Sequence, residues 1–175
     1  SNWPVPDGSS GATLLEYART QFALGYLRDE FLAAAPVGLV GGRGQELVAL
    51  AFGLGGLALV ATRTVNWRIP VATLAGFLVS ATIGYALDPS RALGPLTHLF
   101  SGSIILAAFF VATDPVSSPV TRRGQLLFGL GVGALVYLVR IAGAYADGVA
   151  FAILMMNASA PWLDGIGQPY SRRIR

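Results

Sequence analysis

The segment DGSSGAT, residues 7–13, gathers a carboxylate, three hydroxyls and two glycines in a chain that soon becomes strongly apolar. A hydroxyl such as that of Thr13, held in a small and flexible loop, is a place where a group can be attached. A plain Gly/Ser linker has the same composition, and the seven residues alone do not separate the two readings. Two other positions carry chemistry. Arg140 is a cation within an apolar run, read either as a side chain snorkelling to headgroups or as a charge facing an anion such as a phosphate. His98 is the only histidine, and the chain has no cysteine. A lone histidine builds no metal site, so His98 is read as a packing or hydrogen-bonding group. No metal site and no catalytic residue is assigned.

The elements that must hold these residues follow from composition. Of 175 residues, 54% are hydrophobic and 12% charged, about half the charge of a soluble domain, and mean hydropathy is +0.61. Such a chain is built for lipid. A helical span needs about 20 mostly apolar residues. Five runs qualify or nearly do: Leu47–Ala61, Ile69–Leu87, Leu96–Thr113, Gln125–Ala142 and Gly148–Leu163. The first is short and needs flanking residues to complete it. The runs are continuous rather than alternating, which argues against a barrel. The fold expected is an all-α membrane protein of about five transmembrane helices. Residues 1–44 form a loop and a helix ahead of the bundle, 45–166 the bundle, and 167–175 a basic tail. The helix, LLEYARTQFALGYLRDEFLAA, carries Leu15, Ala18, Phe22 and Tyr26 as an apolar stripe and is expected to run on towards Pro36. It lies either along the membrane interface or in solvent as a connector.

The sequence pI near 9.7 does not mark a nucleic-acid partner, because the arginines are spread among short joints rather than gathered in a patch. Arg63 and Arg68, Arg122 and Arg123, and Arg172, Arg173 and Arg175 fall on alternate joints and the C-terminus. The intervening joints hold Asp88 with Arg91, and Asp147. The positive-inside rule puts the arginine-rich set in the cytoplasm, and Thr13 on the other side. An odd number of spans then requires further spans upstream, so the chain reads as part of a longer protein.

Within the spans, Pro115 should stop the third helix near Asp114. Gly129 and Gly133, four apart, predict close helix packing. Asn157, Ser159 and Pro161 predict a kink in the fifth run.

DGSSGAT resembles the flavin-transferase recognition pattern Asp-x-x-Ser/Thr-Gly-Ala-Thr, with Asp7, Ser10, Gly11, Ala12 and Thr13 at the matching positions. The resemblance extends over nearly the whole chain. WRIP at 67–70, HLFSG at 98–102, AAFFVATDPVSSPVTRRGQLLFG at 107–129, DGVAFAILMMN at 147–157 and AP-x-LD at 160–164 are similar to the RnfD/NqrB family. Its members are membrane subunits of two complexes, the Rnf ferredoxin:NAD oxidoreductase and the sodium-pumping NADH:quinone reductase. The ending GQPYSRRIR looks more like the Rnf member. Departures occur at Gly143-Ala144-Tyr145-Ala146-Asp147-Gly148, Ser101-Gly102-Ser103 and Gly42-Arg43-Gly44-Gln45-Glu46; none touches the flavin motif.

The resemblance implies a membrane electron-transfer subunit of a redox-driven Na+ or H+ pump in the bacterial inner membrane, working with ferredoxin- and NAD-linked carriers. It implies FMN esterified through its phosphate to Thr13 on the extracytoplasmic side. Gly11 and Ala12 leave room for a bulky donor, and Arg140 and Arg91 are candidate cations for reduced flavin. A second, non-covalent flavin such as riboflavin is also implied, with no ligands assigned. The implied partners are the other membrane and peripheral subunits of the Rnf complex, a flavin transferase and membrane lipid. The rival reading is a flavin-free channel or transporter half of inverted-repeat type, with DGSSGAT as linker.

Overall fold

A computed structural model describes residues 14–28, 30, 44–90, 92–142 and 148–167. Every regular element among them is helical: α1 Leu14–Ala23, α2 Gln45–Ala61, α3 Arg68–Leu87, α4 Pro95–Phe100, α5 Ile104–Leu106 with a π-helical continuation Ala107–Val111, α6 Arg122–Ala142 and α7 Val149–Gly167. By length and composition α3, α6 and α7 can each cross a membrane, and α2 is a shorter apolar helix. Large apolar side chains such as Leu54, Leu57, Val79, Ile83, Leu154 and Trp162 are exposed on them. Helices that are apolar on their outward faces as well are built for hydrocarbon surroundings.

The third apolar run is not one helix. α4 stops at Phe100, Ser101 leaves helical geometry with φ −104° and ψ 8°, and the chain re-enters helix only at Ile104. Gly102 loses more backbone freedom in a helix than other residues, and the hydroxyls of Ser101 and Ser103 compete for backbone partners, so Ser101-Gly102-Ser103 is a weak point for a helix. The π turn then closes with Ala112 N–H on the Ala107 carbonyl at 2.8 Å. As expected from Pro115, the helical path ends before Asp114, whose carboxylate accepts from Val116 N and from Ser117 Oγ.

α3 and α6 form the bundle's most extensive helix pair, and α7 packs on α6. The reason is the glycine pair: a Cβ on Gly129 would lie 2.6 Å from Ala72 Cβ and 2.8 Å from the Ile69 carbonyl, and one on Gly133 would run into the Thr73–Phe77 backbone. Bare backbone at those positions lets the two helices close together. Phe77, Phe128, Val132 and Val136 fill the core beside them.

α1 is shorter than its sequence suggests. Gly25 takes φ +90°, Gly25 N–H bonds the Phe22 carbonyl and Tyr26 N–H the Gln21 carbonyl, each at 3.1 Å. This paired capping by a left-handed glycine ends α1 at Ala23; Arg28 and Glu30 are helical again, and residues 31–43 lie outside the described residues. Leu15 and Ala18 are buried against Leu93 as the stripe predicted, whereas Tyr26 lies beyond the cap and is exposed. α7 runs through Pro161 as a single helix, with Ser159 Oγ donating to the Met156 carbonyl at 2.7 Å.

The ends of the bundle sort by charge. Asn66 Nδ2 donates to Gln125 Oε1 at 3.0 Å, joining the Arg63–Arg68 joint to the start of α6. Asp164, near the end of α7, accepts from Val120 N, Thr121 N and Thr121 Oγ1 at 3.0, 2.8 and 2.7 Å. Thr121 Oγ1 in turn caps α6 by accepting from Gly124 N at 3.1 Å. The joints bearing Arg63, Arg68, Arg122 and Arg123 therefore share one end. At the opposite end, Arg28 N–H bonds the Ser90 carbonyl and Arg28 Nη1 donates to Tyr85 Oη at 2.9 Å.

Candidate functional site

The opposite end of the bundle holds the chemistry. Arg140 lies in the last turn of α6, where a cation opposes the negative end of the helix dipole. Its side chain does not snorkel outward; the residue is 6% exposed. Nη1 donates to the His98 main-chain carbonyl at 2.7 Å, and the guanidinium carbon sits 4.8 Å from the centre of the Phe77 ring. The break in the third run explains the inward turn. The last four carbonyls of α4 have no partner within their own helix, and the guanidinium satisfies one of them.

His98 is 8% exposed. Its ring meets Tyr137 edge-on, with centroids 5.7 Å apart, and Tyr137 meets Phe77 edge-on at 6.2 Å. His98 thus packs as expected. Its carbonyl makes the hydrogen bond to Arg140, while its ring Nδ1 is buried with no hydrogen-bond partner among the described residues. An unmatched buried nitrogen is costly; the residue itself lines a cavity through other atoms.

That cavity has a volume of about 400 Å³ and lies between α1, the 92–93 segment, α4 and the end of α6. Leu15, Phe22 and Leu93 give it apolar walls; Arg19, Arg140 and His98 give it polar ones, and no carboxylate among the described residues lines it. Apolar walls with a few convergent polar groups suit a small organic ligand, and the charge balance favours an anionic one. Among the predicted site residues, Asp7, Ser10, Gly11, Ala12, Thr13 and Arg91 lie outside the described residues. Arg140 is described, and it stands beside the helix that follows Thr13.

A larger cavity, about 850 Å³, opens at the arginine-bearing end. Phe109, Phe110, Asn66, Gln125 and Asn157 line it together with the carboxylate of Asp114. Amides and aromatic rings suit a planar hydrogen-bonding molecule, and the carboxylate disfavours a phosphate. Sequence reasoning missed this site, although Asn157 stood out within its helix. It also missed Asp164, whose only signal was its place in the AP-x-LD ending.

Comparison with known proteins bears on both ends. The family described as "NQR2, RnfD, RnfE family" matches residues 1–172. A Pseudomonas paraeruginosa protein named as the D-type subunit of an ion-translocating oxidoreductase complex is 48% identical over 166 residues, 94% of this chain and 48% of that protein. Proteins of the same name from Alcanivorax borkumensis and Erwinia tasmaniensis are 44% and 42% identical over 165 and 164 residues. Each of these two alignments covers 93% of this chain, and respectively 48% and 46% of the relative. The chain thus spans about half the length of the curated relatives it matches.

Proposed function

The chain belongs to the NQR2, RnfD, RnfE family, and from that premise we propose that it forms part of a membrane electron-transfer subunit in a redox-driven Na+ or H+ pump. The subunit carries FMN esterified to Thr13 and passes electrons between ferredoxin- or NAD-linked carriers, together with the other subunits of its complex. The names of the relatives favour the RnfD type over the corresponding subunit of the NADH:quinone reductase. The protein is multi-pass in a bacterial inner membrane, with the Thr13 loop outside the cytoplasm and the arginine-bearing end inside it. A flavin transferase acts on the Asp7–Thr13 motif.

The observation that carries this reading is the docking of α1. Its first residue, Leu14, follows Thr13 directly and is 1% exposed, and the helix packs at the end of the bundle away from Arg63, Arg68, Arg122 and Arg123. A tethered flavin is thereby kept at that end, beside the cavity that Arg140 and Arg19 make electropositive. The chemistry of that cavity fits the group: apolar walls for a ring and cations for its negative charge. When bound, FMN supplies one- and two-electron transfer. This chain's residues do the rest: Thr13 anchors, Arg140 and Arg91 offer positive charge, and the apolar walls exclude water. The larger cavity at the arginine-bearing end suits a flavin without phosphate, such as riboflavin, because Asp114 repels a phosphate there.

The test is a denaturing gel of the protein expressed with its flavin transferase and viewed under ultraviolet light. The band fluoresces in the native sequence and is dark in Thr13→Ala.

A further inference from the structure

The arginine-bearing end of the bundle holds more positive charge than its own carboxylates neutralise. Arg63, Arg68, Arg122 and Arg123 form no ion pair with a carboxylate among the described residues. The two described carboxylates at that end are engaged elsewhere. Asp114 accepts from Val116 N and Ser117 Oγ, and Asp164 from Val120 N and Thr121 N.

Two of these arginines stand over one seam. Arg68 opens α3 and Arg122 opens α6, the helices that pack together most extensively. A relay of amides joins the two helix starts. Arg68 Nη1 donates to Asn66 Oδ1 at 3.3 Å, and Asn66 Nδ2 to Gln125 Oε1 at 3.0 Å. Gln125 is about one helical turn from Arg122. Guanidinia at one level on adjacent helices suit a shared phosphate.

The surface beneath them is apolar. Trp67 is exposed, and the Arg68 guanidinium carbon lies 5.6 Å from the centre of its ring. Tryptophan with arginine is the usual pairing at headgroup depth. Val71 and Val79 on α3 and Leu126 and Leu130 on α6 are all exposed. The Leu130 main chain lies against Gly76, whose missing side chain lets the two helices meet there. Arg68 and Val79 are separated by about 16 Å along the axis, close to half the thickness of a bilayer's hydrocarbon core, about 15 Å.

We propose that this face of the α3–α6 pair holds one anionic phospholipid, its phosphate between Arg68 and Arg122 and its acyl chains over Leu126, Leu130 and Val79. An acidic soluble protein would complement the arginines but leave the apolar side chains beneath them unmatched. A phospholipid complements both. The site lies at the end of the bundle away from α1, and filling it does not require a flavin on Thr13.

The test uses the intact complex in detergent, delipidated and then offered equal amounts of phosphatidylglycerol and phosphatidylcholine. Lipid retained after washing is identified and counted by mass spectrometry. Native, Arg122→Gln, Arg63→Gln and Leu130→Trp forms are compared. Arg63→Gln removes the same charge from the same end, but its residue follows α2 instead of standing on the seam. Leu130→Trp keeps every charge and fills the path of the acyl chains.

The native complex is expected to retain one more phosphatidylglycerol than Arg122→Gln or Leu130→Trp, and Arg63→Gln to match native. Phosphatidylcholine should replace that lipid several-fold less well. Equal loss in Arg63→Gln and Arg122→Gln means charge attraction without a site and overturns the proposal. Phosphatidylcholine retained as readily as phosphatidylglycerol overturns it too. Loss of another subunit from Arg122→Gln with lipid unchanged makes the face a protein interface, which also overturns it. If Arg122→Gln does not assemble, native retention in Leu130→Trp still overturns the proposal.

Discussion

The guanidinium of Arg140 donates to the main-chain carbonyl of His98 at 2.7 Å, tying the last turn of α6 to the short helix that opens an interrupted span. A buried cation is expensive unless it is hydrogen-bonded, and here the bond also satisfies a helix-end carbonyl. Arg140→Met keeps the stem packed on Phe77 but leaves that carbonyl unmatched. The expected loss is about 2 kcal/mol, read as a lower unfolding midpoint in detergent. Arg140→Lys restores charge without the planar fork and should fall between the two.

The glycines of α6 are not equivalent. A Cβ on Gly133 meets the backbone of α3, including Phe77 N at 2.5 Å, whereas one on Gly131 meets the flexible end of Met156. Backbone cannot step aside and a methionine can. Gly133→Ala is expected to cost about 1–3 kcal/mol through forced separation of the helices. Gly131→Ala should be near neutral, because its helix propensity gain offsets a small repacking. Unfolding midpoints of the two variants, measured side by side, check the contrast.

Asp164 accepts three hydrogen bonds from Val120 and Thr121 at the start of α6. The carboxylate also faces the positive end of that helix dipole. Asp164→Ala strands two backbone donors and loosens the Thr121 cap, for an expected loss of about 2 kcal/mol. Faster proteolysis at Arg122 and Arg123 should accompany the lower midpoint. Asp164→Asn keeps an acceptor and should lose less.

The sidedness of the bundle is open to direct labelling, since the sequence contains no cysteine. Val116 is 91% exposed at the arginine-bearing end, and Pro89 is exposed at the other. In intact spheroplasts a membrane-impermeant maleimide is expected to label Pro89→Cys and to label Val116→Cys only after lysis. The reverse pattern would put Thr13 in the cytoplasm, away from any outer-side transferase.

Much of this was legible beforehand, and the failures have physical causes. The Gly129/Gly133 spacing announced a close-packed face on α6, because four-residue periodicity is a local property of a helix, but not that α3 is the helix packed there. Pro115 announced the end of the third run for the same reason. Gly25 was visible too, but a glycine within a periodic pattern is ambiguous until its φ is known; here +90° makes it a cap. The break at Ser101-Gly102-Ser103 hid inside a run that hydropathy treats as continuous. That break also misdirects the reading of Arg140, because only a severed helix offers an inward carbonyl for a guanidinium to meet. The cavity beside His98 depends on bringing together residues far apart in the chain, such as Leu15 with Tyr137 and Arg140, and no local pattern encodes that. Asp7, Ser10, Gly11, Ala12 and Thr13 stand the other way round: the sequence motif speaks, and they lie outside the described residues.

The central claim is a covalent bond, and mass spectrometry of the peptide that contains Thr13 tests it most directly. From membranes that hold the flavin transferase, the peptide is predicted to carry the mass of one FMN less one water, with fragmentation placing it on Thr13. An unmodified Thr13 peptide from the same membranes would contradict the account.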